Sequence, residues 1–431
     1  MAATTSEAPD IAAVEERGFA ERTLSSMRSR NFRLFFIGQT VSNSGNWLTM
    51  VALTLLVLHR TGSGVMVGVL SACQYGPILL LAPWAGVIVD RTSKRKLLLA
   101  TQILEMGQSF TLAALAFMHH APLWAFFITA VAGGCMLAFD NTVRRTFVNE
   151  MVPQEDVPNA VTLYSAIVNI SRIIGPAIAG VLVVTVGYGW CFTLDAISYL
   201  TVLVALWMMR PAELRPIAPA PREKGQVRAG VKYLRSVPEL WITFATLLIV
   251  GTLSYNFSVV FPLFVEKGLH GSDSAYTFVY VGFSAGSLVG AFLVARRSNI
   301  TVPTVAAGAA LFGAALTLFA FAPSVAAAIG IATIVGVGSV YYMTATTALA
   351  QLRTEPHMIG RVLALQAVLM IGTTPVGAPI LGLISDTIGP RAPVFVGAIG
   401  ALGAAVFAMF MYRRTMGVEG RVPPRTAEAA A

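Results

Sequence analysis

Apolar residues gather into twelve long runs, over 32–58, 65–89, 97–118, 122–139, 159–185, 190–209, 240–264, 276–295, 302–322, 324–349, 362–384 and 393–412. Polar residues are largely confined to the gaps between them. About 20 apolar residues in a helix cross the hydrocarbon of a bilayer. Each run is therefore predicted to span a membrane, several with length to spare for tilt. Backbone in lipid must satisfy its own hydrogen bonds, and these runs are too long and too uniformly apolar for barrel strands. The predicted fold class is an all-α integral membrane protein of twelve helices.

Composition agrees. Hydrophobic residues make up 56% of the 431 and charged residues only 12%, with a mean hydropathy of +0.71. Soluble domains carry about 25% charged residues. A soluble enzyme, a nucleic-acid binder and a disordered chain are all excluded. The net charge of +9 is read as loop charge that sets orientation, not as a nucleic-acid footprint.

The distribution of Lys and Arg supports this reading. Tails and alternate gaps hold 26 of them, whereas the opposite gaps hold only Arg60, Lys267 and Arg391. The positive-inside rule puts both termini and the longest loop in the cytoplasm. The expected location is a bacterial-type cytoplasmic membrane. That loop, 210–239, carries seven basic residues and separates a six-helix half over 32–209 from another over 240–412. A short surface helix is predicted near 227–234. The tails are 1–31 and 413–431, with 1–25 and 416–431 expected to be unstructured. Residues 1–31 lack the apolar core of a signal peptide. All three cysteines lie in apolar runs, so no disulfide framework is implied.

The halves echo one another at an offset of 202 residues. Gly175, Ile178, Gly180 and Gly187 correspond to Gly377, Ile380, Gly382 and Gly389. Both stretches fall in the fifth run of their half, and both have proline nearby. Two parallel six-helix halves around an axis normal to the membrane form one transporter plan, with the substrate at the midplane between them.

The loop after the second run reads Gly86-Val-Ile-Val-Asp90-Arg91-Thr-Ser-Lys94-Arg95-Lys96. An acid placed there can cap the next helix or tie it to the other half. This loop resembles the signature of the major facilitator superfamily. Asp140-Asn-Thr-Val-Arg144-Arg145, Val152-Pro153, Arg172-Ile-Ile-Gly175-Pro176-Ala-Ile-Ala-Gly180 and Gly360-Arg361-Val362 are similar to its branch of macrolide-efflux and siderophore-export proteins. The resemblance covers all twelve runs. It implies alternating access, with Gly86, Asp90, Arg91, Gly175, Pro176 and Gly180 as gating elements. It also implies a cavity lined by the first, fourth, seventh and tenth helices. Two departures stand out. Thr129 and Ala130 occupy places where many proton-driven exporters carry an arginine, and Thr162 and Ser171 replace upstream glycines of the antiporter motif.

Ionisable residues inside a span are costly in lipid and usually face protein or water. Glu105, Arg172, Asp140 and Asp195 are the candidates for proton coupling or for ion pairs. For Glu105 a structural role is favoured. Asp140 with Arg144 or Arg145 reads as a helix-end device, and Asp195 as a carboxylate near the interface. Gln39, Asn43, Asn46, Tyr255, Asn256, Tyr341 and Tyr342 are the cavity candidates, since amides and phenols orient an amphipathic ligand while rings supply contact area. Interhelical hydrogen bonding is the competing use of the same groups.

No cofactor is expected. There is no phosphate-binding Gly-x4-Gly-Lys-Ser/Thr stretch, no HExxH pair and no metal-ligand spacing. The expected function is secondary, proton-coupled efflux of small amphipathic molecules such as drugs, by a monomer in the bilayer. The alternatives are export of a siderophore or other metabolite, or a nutrient facilitator or importer of the same fold. A membrane-embedded enzyme or receptor is disfavoured, because no acid–base constellation and no large soluble domain is present.

Overall fold

The computed structural model describes residues 24–118, 120–216, 226–297 and 299–419. Among them the regular structure is helical, with no strand. The first half holds α1 (Arg30–Thr61), α2 (Gly64–Arg91), α3 (Lys94–Phe117), α4 (Leu123–Val148), α5 (Val157–Thr185) and α6 (Tyr188–Met208). The amphipathic α7 (Gln226–Ser236) follows, bracketing the helix expected in the loop. The second half holds α8 (Pro238–Leu253), α9 (Phe257–Pro262), α10 (Asp273–Ala295), α11 (Val302–Ala320), α12 (Val325–Leu352), α13 (Ile359–Gly372), α14 (Thr374–Thr387) and α15 (Ala392–Glu419).

Eleven spans are long and apolar enough to cross a membrane, with α8–α9 and α13–α14 each forming one broken span. The run 97–118 falls outside that set. It forms α3, 24 residues long, but Gln102, Glu105, Gln108 and Ser109 lower its hydropathy. These residues bond to neighbouring helices instead of facing lipid.

Two expected runs are interrupted. The ladder of 240–264 breaks at Ser254–Asn256, where Asn256 Nδ2 donates to the Thr252 carbonyl at 2.8 Å. Ser254 Oγ donates to the Gly397 carbonyl and Tyr255 OH to the Ser339 carbonyl, both at 2.6 Å. The run 362–384 breaks at Thr373, beside Pro375, which has no N–H to continue a helix. By contrast, α5 runs unbroken through Pro176.

Within the first half, α1 packs on α5 and α6, α2 on α4, and α3 on α6. In the second, α10 packs on α12, and α11 on α12 and α15. The halves meet along α2 with α14 and along α5 with α10. The glycine echo has a structural counterpart. Gly175 lies against the Ser44 carbonyl and Trp47 of α1, and Gly377 against the Thr252 carbonyl of α8. Gly180 faces Thr277 across the two halves, as Gly382 faces Gly64. Gly187 and Gly389 both take positive φ, 87° and 132°, so each closes its helix in a conformation that favours glycine.

The tails differ from expectation where they are described. Ser25–Arg28 forms a single turn, and Ser26 is buried against the start of α5, its N–H donating to Asn159 and its hydroxyl to the Asp156 carbonyl. The last helix continues to Glu419, beyond the expected limit of 412. The rest of the tails, 1–23 and 420–431, lies outside the described residues. Large apolar side chains such as Trp84, Trp124, Trp207, Phe292 and Val406 are exposed around the bundle, as a surface covered by lipid requires.

Candidate functional site

A cavity of about 260 Å³ opens inside the first half. Asn43, Asn46 and Trp47 of α1, Tyr75 of α2, Glu105 of α3, Arg144 of α4 and Asp195 of α6 are among its walls. Its polar residues fall into three bonded groups, around Arg144, Asp195 and Tyr199. The Arg144 guanidinium is paired with Asp140 at 2.5 Å and with Glu105 at 3.5 Å, and donates to Asn43 Oδ1 at 2.7 Å. Gln102 Nε2 bridges the two acids, donating to Glu105 at 3.0 Å and to Asp140 at 2.9 Å. The Thr101 hydroxyl donates to Asp140 at 3.0 Å. Asp195 accepts from Ser109 of α3 at 2.7 Å and Thr49 of α1 at 2.8 Å. Tyr199 OH donates to Asn46 Oδ1 at 2.6 Å. Four helices are thus joined by groups that lipid would expel.

Three sequence expectations change here. Asp140 is not a helix-end device, because α4 continues through Val148 and both Asp140 and Arg144 are buried. Asp195 is not solvated at an interface, because it is fully buried between α1 and α3. Glu105 lines the cavity and takes Arg144 as its cationic partner. The sequence supplied each residue but not the depth at which neighbouring helices cover it. Arg144 was the residue missed. Its i, i+4 spacing from Asp140 was visible, but its second partner comes from α3.

Arg172, the remaining candidate, is half-buried and stands apart from these groups. Its guanidinium lies over the Trp47 ring, 5.0 Å from the centroid. It is within electrostatic reach of the Tyr75, Tyr255 and Tyr280 phenols. No carboxylate among the described residues pairs with it, and its buried Nε has no hydrogen-bond partner. Trp47 and Tyr75 come from the first half and Tyr255 and Tyr280 from the second, so Arg172 sits where the halves face each other.

The other cavity candidates divide. Asn43 and Asn46 line the cavity. Gln39 is fully buried with neither amide atom partnered among the described residues. Tyr342 is packed inside the second half with its hydroxyl bonded to Thr246, so it does not line a cavity. Asn256 is buried with its amide on the Thr252 carbonyl. Tyr341 is largely buried and lies under Arg297. Of the gating candidates, Gly86 is buried near the end of α2, Asp90 is half-buried on its last turn, and Arg91 is exposed.

At the end of the bundle where α1 passes into α2, polar contacts tie the halves together. Asp386 of α14 accepts from the Gly64 N–H at 2.8 Å, the Val65 N–H at 3.0 Å and the Ser63 hydroxyl at 2.8 Å. It thereby caps α2 from the other half, placing a negative charge at a helix N-terminus. Lys267 adds an ion pair to Asp386 at 3.1 Å and donates to the Gly62 carbonyl at 2.6 Å. His59 of α1 reaches Glu266 and Asp273 of the second half.

Comparison with known proteins adds to this geometry. A family model described as transmembrane secretion effector matches residues 21–425. Macrolide efflux protein A of Streptococcus pyogenes is 24% identical over 369 residues, covering 83% of this chain and 90% of that protein. The staphyloferrin A transporter of Staphylococcus aureus is also 24% identical, with the same coverage. The multidrug efflux pump Tap of Mycolicibacterium fortuitum is 24% identical and covers 88% of this chain and 95% of its own. Among solved structures, an inward-facing, occupied bacterial homologue of the human lysosomal transporter Spinster superposes with a TM-score of 0.71. It is 14% identical, over 90% of this chain and 97% of that one, and this likeness concerns the fold alone.

Proposed function

The chain belongs to the transmembrane secretion effector family of the major facilitator superfamily and is a transporter of that fold; we propose that it exports small amphipathic molecules in exchange for protons. The observation that carries this reading is the buried set around Arg144. One guanidinium pairs with two carboxyl groups, those of Asp140 and Glu105, and a third, that of Asp195, lines the same cavity. Uncompensated negative charge is costly away from water. A carboxyl of this set can take up a proton on one side of the membrane and release it on the other. Glu105 is the proposed carrier, because it lines the cavity and holds the longer of the two ion pairs to Arg144.

The cavity is slightly smaller than the roughly 300–1,000 Å³ of typical small-molecule pockets. A substrate seated there extends toward the cleft between the halves, where Trp47, Tyr75, Tyr255 and Tyr280 offer ring faces and Arg172 a free cation. The unpaired Arg172 favours a second reading, export of a metabolite bearing a carboxylate. The staphyloferrin A transporter among the relatives suits that reading, and the macrolide and multidrug pumps suit the first.

Alternating access requires the contacts of Asp386, Lys267 and His59 to form and break. The proposed orientation, with termini in the cytoplasm, makes that end the external gate. The test is accumulation of ethidium and of radiolabelled erythromycin in cells with and without the gene, with and without an uncoupler. Lower accumulation with the gene, restored by the uncoupler, supports proton-coupled drug export. Equal accumulation of both probes in every condition removes the drug-efflux reading.

A further inference from the structure

His59 sits at the end of α1, where it passes into α2. Its Nε2 lies 3.3 Å from Glu266 Oε2 and 3.2 Å from Asp273 Oδ1. The three ligand atoms all fall within 4.8 Å of one another. Two acids belong to the second half and the histidine to the first, so the cluster bridges the halves. It was invisible in the sequence, where these residues stand more than 200 positions apart or flank a separate loop.

The other ring nitrogen decides what the cluster can hold. His59 Nδ1 is 2.5 Å from Tyr188 OH, and Tyr188 OH donates to Asp273 Oδ2 at 3.3 Å. The Tyr188 hydroxyl has one hydrogen. Once that hydrogen goes to Asp273, the Tyr188 oxygen accepts from Nδ1–H. In the neutral ring this leaves a bare lone pair on Nε2, aimed at two carboxylate oxygens. Three electron-rich atoms converge at these distances when a cation, a metal ion or a proton, sits among them. Lys267 is not that cation, because its ammonium is bound to Asp386 and the Gly62 carbonyl. Nor are these freely solvated acids. The Glu266 and Asp273 side chains are 11% and 15% exposed, against 45% for His59, and Glu266 Oε1 is buried with no hydrogen-bond partner.

The spacing selects a class of cation. Tetrahedral zinc with bonds of about 2.0–2.1 Å places neighbouring ligand atoms about 3.3–3.4 Å apart. Both distances from Nε2 match that edge. A hydrogen bond donated by the second ring nitrogen to the Tyr188 oxygen is the kind of support that fixes the tautomer of a metal-bound histidine.

We infer that His59, Glu266 and Asp273 form a binding site for a divalent transition-metal ion of the zinc class, which clamps the two halves shut at the end where α1 passes into α2. The three residues supply one nitrogen and two oxygens, and water completes the tetrahedron. An ion held there must leave, or lose its ligands from one half, before that end opens. Binding follows from the cluster itself, whereas the clamping effect rests on the alternating-access reading. Because the ligand nitrogen must be unprotonated, acid competes with the metal.

The test uses the full-length protein, tag removed, in lipid nanodiscs. Titration calorimetry with zinc chloride should show one site per chain. His59→Gln and Asp273→Asn should each abolish it, and Tyr188→Phe should weaken it by about tenfold or more. Spin labels on Val186→Cys and Thr387→Cys, in a background without Cys73, Cys135 and Cys191, report the separation of the halves. Zinc should narrow the distance distribution to its short component in the parent and leave the His59→Gln protein unchanged. Absence of a zinc site in the calorimeter, or a site that survives both ligand substitutions, overturns the inference. Narrowing by acid alone, with no effect of zinc, would identify the cation as a proton and also overturn it. Zinc binding that leaves the distances unchanged would keep the site but remove the clamp, and with it the gating role given to this end.

Discussion

Arg144 and Arg172 are both guanidiniums held within the bundle, but their surroundings assign them opposite work. Arg144 is ion-paired with Asp140 and Glu105 and donates to Asn43. Its removal strands two buried carboxylates, and breaking a buried pair costs roughly 3–5 kcal/mol. Arg144→Ala is therefore expected to lower the unfolding temperature and to abolish export. Arg144→Lys should recover stability in part, since a lysine cannot reproduce the fork that reaches both acids. Thermal unfolding in detergent distinguishes these outcomes. Arg172 has no carboxylate partner to strand, only the Trp47 face. Arg172→Gln is expected to leave the unfolding temperature within a few degrees of the parent. It should selectively reduce transport of carboxylate-bearing substrates relative to ethidium, measured as a ratio of initial rates. An equal loss for both would assign Arg172 to packing or gating instead.

At the scale of elements, the glycine echo was legible because glycine has one physical use at each position. Gly175 and Gly377 permit close contact inside a half, and Gly180 and Gly382 do so between halves. The pairs are not equally tolerant. A methyl at Gly180 would meet the Thr277 side chain, which can rotate, whereas one at Gly382 would meet the backbone of Gly64, which cannot. Gly382→Ala is therefore expected to cost about 1–3 kcal/mol in overpacking and to prevent the α2–α14 closure, with Gly180→Ala milder in both. Denaturation and cross-linking across α2–α14 provide the measurements. Other features could not be read from pattern. The breaks at Ser254–Asn256 and Thr373 lie within runs of uniform apolarity, and partners for the freed backbone groups, such as the Asn256 amide on the Thr252 carbonyl, make them tolerable. Asp140 and Asp195 were visible as charges near run ends, but their burial is set by α1 and α3 packing over them, which no local spacing records.

At the scale of the whole molecule, orientation and coupling are the properties that matter. The Lys and Arg distribution predicts that cysteines placed at Ser236 and Ser272, in a cysteine-free background, are labelled from opposite sides of the membrane by an impermeant reagent. Labelling from one side would overturn the assignment of the Asp386 and His59 contacts to an external gate. Asp386→Asn removes the charge that caps α2 from the other half and that pairs with Lys267. It is expected to shift the protein toward states open at that end, read as longer Val186–Thr387 label distances. The central claim is that a proton gradient, acting through the Arg144 set, drives export. The most direct measurement is ethidium uptake into ATP-free proteoliposomes holding the protein, with an imposed gradient acid on the inside, for the parent and for Glu105→Gln. The account predicts uphill accumulation by the parent only while the gradient lasts, and only downhill equilibration by Glu105→Gln. Uphill accumulation with the gradient collapsed, or accumulation by Glu105→Gln equal to that of the parent, would contradict it.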